Sequence, residues 1–214
     1  MLLCPPESLP AGPAVAVADL QSLIQRREAA VSTPKDTSSL PAHPGLAAAF
    51  PTGLRAGVVY SLTGSTSMAM AMLAGPSRNG SWCGVVGLPD LGVEAAVDWQ
   101  VRLDRLILVP APPPLRWITA VAALVEIADV VVAAPPSRLS DGDAARLMAR
   151  LRTRGATLVV TGPWKRAAAV VRATTTGWDG LGQGHGCLVR QHLRLDITER
   201  HLQRSVSLTL PGDR

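Results

Sequence analysis

Residues 57–73 read GVVYSLTGSTSMAMAML, and the fold turns on how that stretch divides. The apolar run over 57–62 suits a buried strand, Gly64 marks a sharp turn, and a helix-forming segment follows over 67–74. Strand, glycine and helix in that order outline a phosphate loop of the G-x-x-x-x-G-K-[ST] type. The three positions that should then hold Gly, Lys and a hydroxyl hold Ala69, Met70 and Ala71. The lysine of such a loop neutralises β- and γ-phosphate charge, and the hydroxyl holds Mg²⁺. A thioether and a methyl group do neither. Gly64, Ser65, Thr66 and Ser67 are therefore read as a relict phosphate loop, with no catalytic residue, no metal and no cofactor assigned.

Working outward, apolar runs alternate with helical patterns. Strands are expected over 82–87, 106–109, 129–134 and 156–161, and helices over 93–100, 116–127 and from the Ser140 cap to about 154. The helix after the relict loop is expected to stop at Gly75-Pro76. Strands made of near-continuous Val, Ile and Leu between helices signal a parallel sheet covered on both faces. Upstream, 1–16 are Pro- and Ala-rich, 19–31 suit a helix capped by Asp19, and 32–44 have linker composition. Downstream, 168–174 and 206–210 suit strands. Over 188–197, Leu193, Leu195 and Ile197 fall on one face, with Arg190, Arg194 and Arg204 decorating the wet side. The expected division is an N-terminal helix and linker (1–44), an α/β core (45–167) and a basic antiparallel β extension (168–214). Residues 180–186 only roughly match G-x-G-x-x-G and lack its strand–turn–helix setting, so a flexible loop or turn is expected there.

Bulk properties narrow the function. The 214 residues are 47% hydrophobic, enough for a sizeable core, yet they contain no run of 18 apolar residues that would span a membrane. The opening MLLCPP lacks a basic segment and is broken by Pro5 and Pro6, unlike a signal peptide. Cys4, Cys83 and Cys187 have neither disulfide nor zinc spacing and read as reduced, packed thiols. No nucleophile elbow supports a hydrolase. Residues 1–145 carry 9 Lys/Arg against 12 Asp/Glu, whereas 146–214 carry 12 against 4. The final third thus holds the excess positive charge, which suits an acidic or nucleic-acid partner. Arg150, Arg154, Lys165, Arg166 and Arg172 are its candidate phosphate-backbone contacts. Aromatic content of 3% argues against a base-stacking platform.

Four segments together carry a family resemblance. Residues 50–60, FPTGLRAGVVY, are similar to a G-L-P-x-G-x-[VI]-x-E lead-in, and the relict loop over 64–73 follows. Residues 101–110, VRLDRLILVP, look like a G-V-D-x-x-x-L-x-x-x-P segment, and 129–134 resemble a Walker B strand. In this order they resemble the RecA ATPase core, and in particular the shortened RecA-like proteins called ImuA. The glycine-rich 178–186 resembles the actinobacterial type. Carried over position by position, each ATPase group is missing. The Lys falls on Met70, the Mg²⁺-binding hydroxyl on Ala71, the catalytic Glu nearest Pro89, and the Walker B Asp on Ala134. Asp90 replaces the Glu only by a one-residue shift.

That resemblance implies a degenerate RecA-like fold acting as a non-catalytic adaptor in DNA-damage-induced (SOS) mutagenesis, cytoplasmic and nucleoid-associated. The implied partners are an ImuB-like Y-family polymerase homologue, an error-prone replicative-type polymerase and RecA itself. The tail would dock the partner, with Trp178, Leu181, His185, Arg190 and Arg194 as candidate contacts. The alternatives are a divergent nucleotide-binding ATPase and a direct DNA binder that uses the basic third.

Overall fold

The computed structural model describes residues 39–137, 139–181, 186–200 and 202–210. The helix expected over 19–31 lies outside them. A short hairpin comes first, β1 (Ser39–Leu40) and β2 (Leu54–Arg55). The core follows as β3 (Val59–Thr63), α1 (Thr66–Arg78), β4 (Cys83–Val86), α2 (Val93–Asp98) and β5 (Leu106–Val109). It continues as α3 (Trp117–Ile127), β6 (Val130–Ala133), α4 (Asp141–Arg154) and β7 (Thr157–Thr161). Three long strands end the described chain: β8 (Ala169–Leu181), β9 (Gly186–Glu199) and β10 (Leu202–Leu210).

Strands β3 to β10 make one eight-stranded sheet in the order β10-β9-β8-β3-β7-β6-β4-β5. From β8 to β5 every pairing is parallel; β9 runs antiparallel to both β8 and β10. The expected α/β class, a mostly parallel sheet flanked by helices with an antiparallel extension, is the one observed. Strand side chains alternate between two cores, as a pleated sheet requires. Tyr60, Leu62, Val130 and Val132 pack with α1, whereas Val59, Val131 and Ala133 pack with α3 and α4.

Three local expectations give way. First, α1 runs straight through Gly75-Pro76 to Arg78. A Cβ on Gly75 would overlap the backbone of Pro41, Ala42 and His43, so this glycine exists for close packing rather than as a stop. Asn79 caps the end, its Nδ2 donating to the Gly75 carbonyl at 2.9 Å. Residues 39–44, which have linker composition, are what crosses the helix there. They pair with β2 and bury Leu40 and His43. Gly75→Ala is expected to cost about 2–4 kcal/mol, because backbone rather than a pliable side chain occupies the space. Urea unfolding would measure it, and a loss below about 0.5 kcal/mol would refute the packing role.

Second, β8 runs on past the strand expected over 168–174 to Leu181, so 180–181 and 186 of the expected loop or turn lie in strands, and 182–185 lie outside the described residues. β3 pairs with β8 only from Tyr60↔Ala169 to Thr63↔Arg172, and β10 reaches only as far as Gln191 on β9. Beyond those limits 173–178 keep β9 as their one partner strand among the described residues, and 179–181 with 186–190 continue as a two-stranded ribbon at the sheet's end. Third, Arg204 is not on the wet face. It lies opposite Ile197, donates to the Ala49 carbonyl at 2.8 Å and pairs with Glu199 at 3.1 Å. Leu193, Leu195 and Ile197 do share the buried face, and Arg194 is exposed.

Candidate functional site

Only Gly64 and Ser65 separate the end of β3 from the start of α1, because Thr66 and Ser67 are already helical. A phosphate cradle needs a longer arc of free backbone N–H groups. Here the Ser65 hydroxyl caps the helix by accepting the Met68 N–H at 3.3 Å. Gly64 adopts φ +95°, and a Cβ on it would overlap the Ala173 carbonyl oxygen of β8. A neighbouring strand therefore packs directly against the turn. Met68, Met70 and Met72 are all buried, as are Ala69 and Ala71. A helix enclosed on every side fills its positions with apolar groups all round, and the flexible thioethers suit irregular gaps.

The other strand ends are tied back to the sheet. Gly87 N–H donates to the Val109 carbonyl and Ala134 N–H to the Val86 carbonyl, each at 2.9 Å. The Ser61 hydroxyl donates to the Gly162 carbonyl at 2.6 Å. Pro89 and Asp90 are exposed and Ala134 is half-buried. Beside β6 and β7 lies a mostly apolar cavity of about 610 Å³, between Pro135, Leu139, Pro163 and Trp164. Cys83 is buried, which pushes its thiol up to about 12, so it packs as a small apolar group and not as a nucleophile.

The tail candidates divide between two faces. Trp178 pairs with Gln191 and so continues the face of Leu193 and Leu195, while Arg190 pairs with Asp179 on the opposite face, which Arg194 shares. His192 reaches Asp179 at 2.8 Å, and Arg194 reaches Asp196 at 3.3 Å. The Ser205 hydroxyl, followed by Arg194, holds the Asp196 carboxyl below its usual range. Leu181 lies in β8, whereas His185 falls outside the described residues. The composition-based choice also missed Leu188 and Val189, both about half exposed on the ribbon. They lie in the strand expected over 188–197, but only the pairing of that strand shows that its first residues leave the covered part of the sheet.

The basic candidates disperse as well. Arg150 and Arg154 both engage Glu126 of α3. Lys165 binds Asp141 at 2.8 Å, and that hydrogen bond lowers the Asp141 carboxyl. Arg172 sits on the wet face of β8 near Asp196. Arg166 alone of the five joins a group of arginines that lack ion pairs among the described residues, lining one cavity with Arg55, Arg152 and Arg200. Among the described residues, no three His, Cys, Asp or Glu side chains converge to hold a metal, and no helix is long and apolar enough to cross a membrane.

Residues 48–166, from just before β2 through β7, match the family model described as the MT3502 N-terminal domain. The chain is also 33% identical over 163 residues to a Mycobacterium tuberculosis protein described as uncharacterized protein Rv3395c. That alignment covers 75% of this chain and 78% of the relative.

Proposed function

The chain belongs to the MT3502 N-terminal domain family, and on that basis we propose that it is a degenerate RecA-like protein of the ImuA type. It acts as a non-catalytic adaptor in DNA-damage-induced mutagenesis. The observation that carries this reading is the closed turn at Gly64. The turn is capped by Ser65 and packed against β8, and Met70 and Ala71 stand buried where phosphate chemistry needs a lysine and a hydroxyl. Phosphoryl transfer depends almost wholly on positioning and charge neutralisation, and neither Met70 nor Ala71 offers a group for either. Central placement of β3 within a parallel sheet supports the RecA-like assignment.

An adaptor works through its surfaces, and the β8–β9 ribbon is the best of them. Two-stranded ribbons are marginal on their own. This one exposes Trp178, Leu188 and Val189 and leaves the outer edge of 173–181 without a strand partner among the described residues. Such an edge accepts an added strand, with pockets between alternate side chains giving specificity. The occupant proposed is an ImuB-like Y-family polymerase homologue, with an error-prone polymerase and RecA as further members of a cytoplasmic, nucleoid-associated complex.

Trp178→Ser combined with Val189→Ser removes the apolar side chains of one ribbon face without touching the core. Pull-down of the ImuB-like partner is expected to weaken by about 10–50-fold, the size typical of losing a tryptophan anchor. Melting behaviour should not change. Undiminished capture would remove the ribbon as docking site, and Mg²⁺-dependent ATP turnover by the unaltered chain would overturn the non-catalytic reading.

A further inference from the structure

We propose that the cavity at the amino-terminal edge of the parallel strands, remote from Gly64, binds a ligand bearing consecutive phosphates. The inference stands apart from the adaptor reading. The cavity measures about 440 Å³ and lies between the start of β3, the end of α4, the approach to β8 and the β9–β10 turn. Four arginines are among the residues that line it, Arg55, Arg152, Arg166 and Arg200. None has an ion-pair partner among the described residues. Glu199, the one acid among the described lining residues, is already held by Arg204 at 3.1 Å. Four like charges repel unless a multiply charged anion sits among them. A lone carboxylate would leave most of that charge uncompensated. Adjacent phosphates match both the charge and the fork geometry of arginine.

The backbone holds these arginines in place. Arg55 is fixed at both ends, its N–H donating to the Tyr60 hydroxyl and its carbonyl accepting from the Thr157 hydroxyl, each at 2.9 Å. Gly57 lets β3 approach α4 closely, with a Cβ there lying 3.3 Å from the Arg152 Cα. Arg166 and Arg200 stand at φ +61° and +46°, a left-handed conformation that glycine or asparagine adopts more readily. Three non-glycine residues in the described chain have positive φ, and two of them are arginines of this cavity. Arginine at a strained turn beside a site of its own charge points to use of the side chain. No aromatic residue is among the described lining residues, so the cavity grips phosphates without stacking bases.

Two sources share this chemistry, a nucleic-acid backbone and a small polyphosphate. The test uses the full chain at low salt with labelled single-stranded DNA, and tripolyphosphate both as direct ligand and as competitor. Arg55→Gln with Arg152→Gln is expected to weaken binding by about tenfold or more, the two phosphate contacts being lost together. For DNA, the log–log salt slope should also fall by about 1.4. Arg116→Gln with Arg146→Gln removes equal charge elsewhere and should cost less than about twofold, as expected of solvated surface charge. Arg200→Gly is expected to raise the melting temperature while weakening binding, a pairing that a purely structural arginine would not give. Tripolyphosphate that binds and competes identifies the small ligand as the source; DNA binding that resists it identifies the backbone. If neither probe binds the unaltered chain, or both arginine pairs lose affinity equally, the site is refuted.

Discussion

Installing the missing phosphate-loop residues, Met70→Lys with Ala71→Thr, is expected to unfold the chain instead of creating an ATP site. Both positions lie on a stretch of α1 that is buried throughout, at 4% and 0% exposure. A lysine in place of Met70 would have no carboxylate within its core, where its neighbours are apolar side chains. A buried ammonium without a partner costs several kcal/mol or expels its proton. A threonine in place of Ala71 adds a hydroxyl in the same setting and a branched side chain where only a methyl group fits. A combined loss of about 5 kcal/mol or more is the expectation, against a total stability of about 5–15 kcal/mol for a domain. Circular dichroism would show the loss, and equilibrium dialysis with Mg-ATP would show no nucleotide bound. A variant that melts like the parent and binds Mg-ATP would mean that the turn still opens into a cradle.

Parallel core strands were readable in the sequence because a strand buried on both faces leaves an unbroken apolar run. β5 occupies the expected 106–109, and β6 and β7 each begin one residue later than expected. α4 was readable because Ser140 and Asp143 cap it and Gly155 ends it at φ +67°. Gly75-Pro76 misled because glycine at a helix end and glycine under a crossing segment look alike until the crossing segment is placed. The ribbon misled for a related reason. Gly177 and Gly180 lie in β8, where a Cβ on Gly180 would meet Val189 at 2.6 Å, so packing across the hairpin explains a glycine that composition assigns to a loop.

Charge was the least legible layer. The basic third is plain in the sequence, but which cations are free depends on partners distant along the chain. Glu126 on α3 takes up Arg150 and Arg154, and Asp141 takes up Lys165. Arg55, outside that third altogether, shares a cavity with Arg152, Arg166 and Arg200. No pattern within α4 distinguishes Arg152 from its neighbours two positions away. The distinction is which face of the helix meets α3.

Removing residues 178–214 is expected to destroy the fold, although composition marks 168–214 as a separable extension. The cut takes all of β9 and β10, and with them Leu193, Leu195, Ile197 and Leu210, each 1% exposed or less. These side chains belong to the same core as α1, Tyr60 and Leu62. Even one such truncation to alanine typically costs about 2–5 kcal/mol, so losing four exceeds the stability of most domains. Val171 and Ala173 of β8 would also lose their cross-strand neighbours Ile197 and Leu195. The truncated chain should be insoluble or show no cooperative melting transition, whereas the ribbon-face variants Trp178→Ser and Val189→Ser should melt as the parent does. A soluble truncation with a cooperative transition at the parent temperature would instead make the extension an independent appendage. Under the expected outcome, lost partner capture by the truncation would report an unfolded core, and only the exposed ribbon side chains can locate the docking surface.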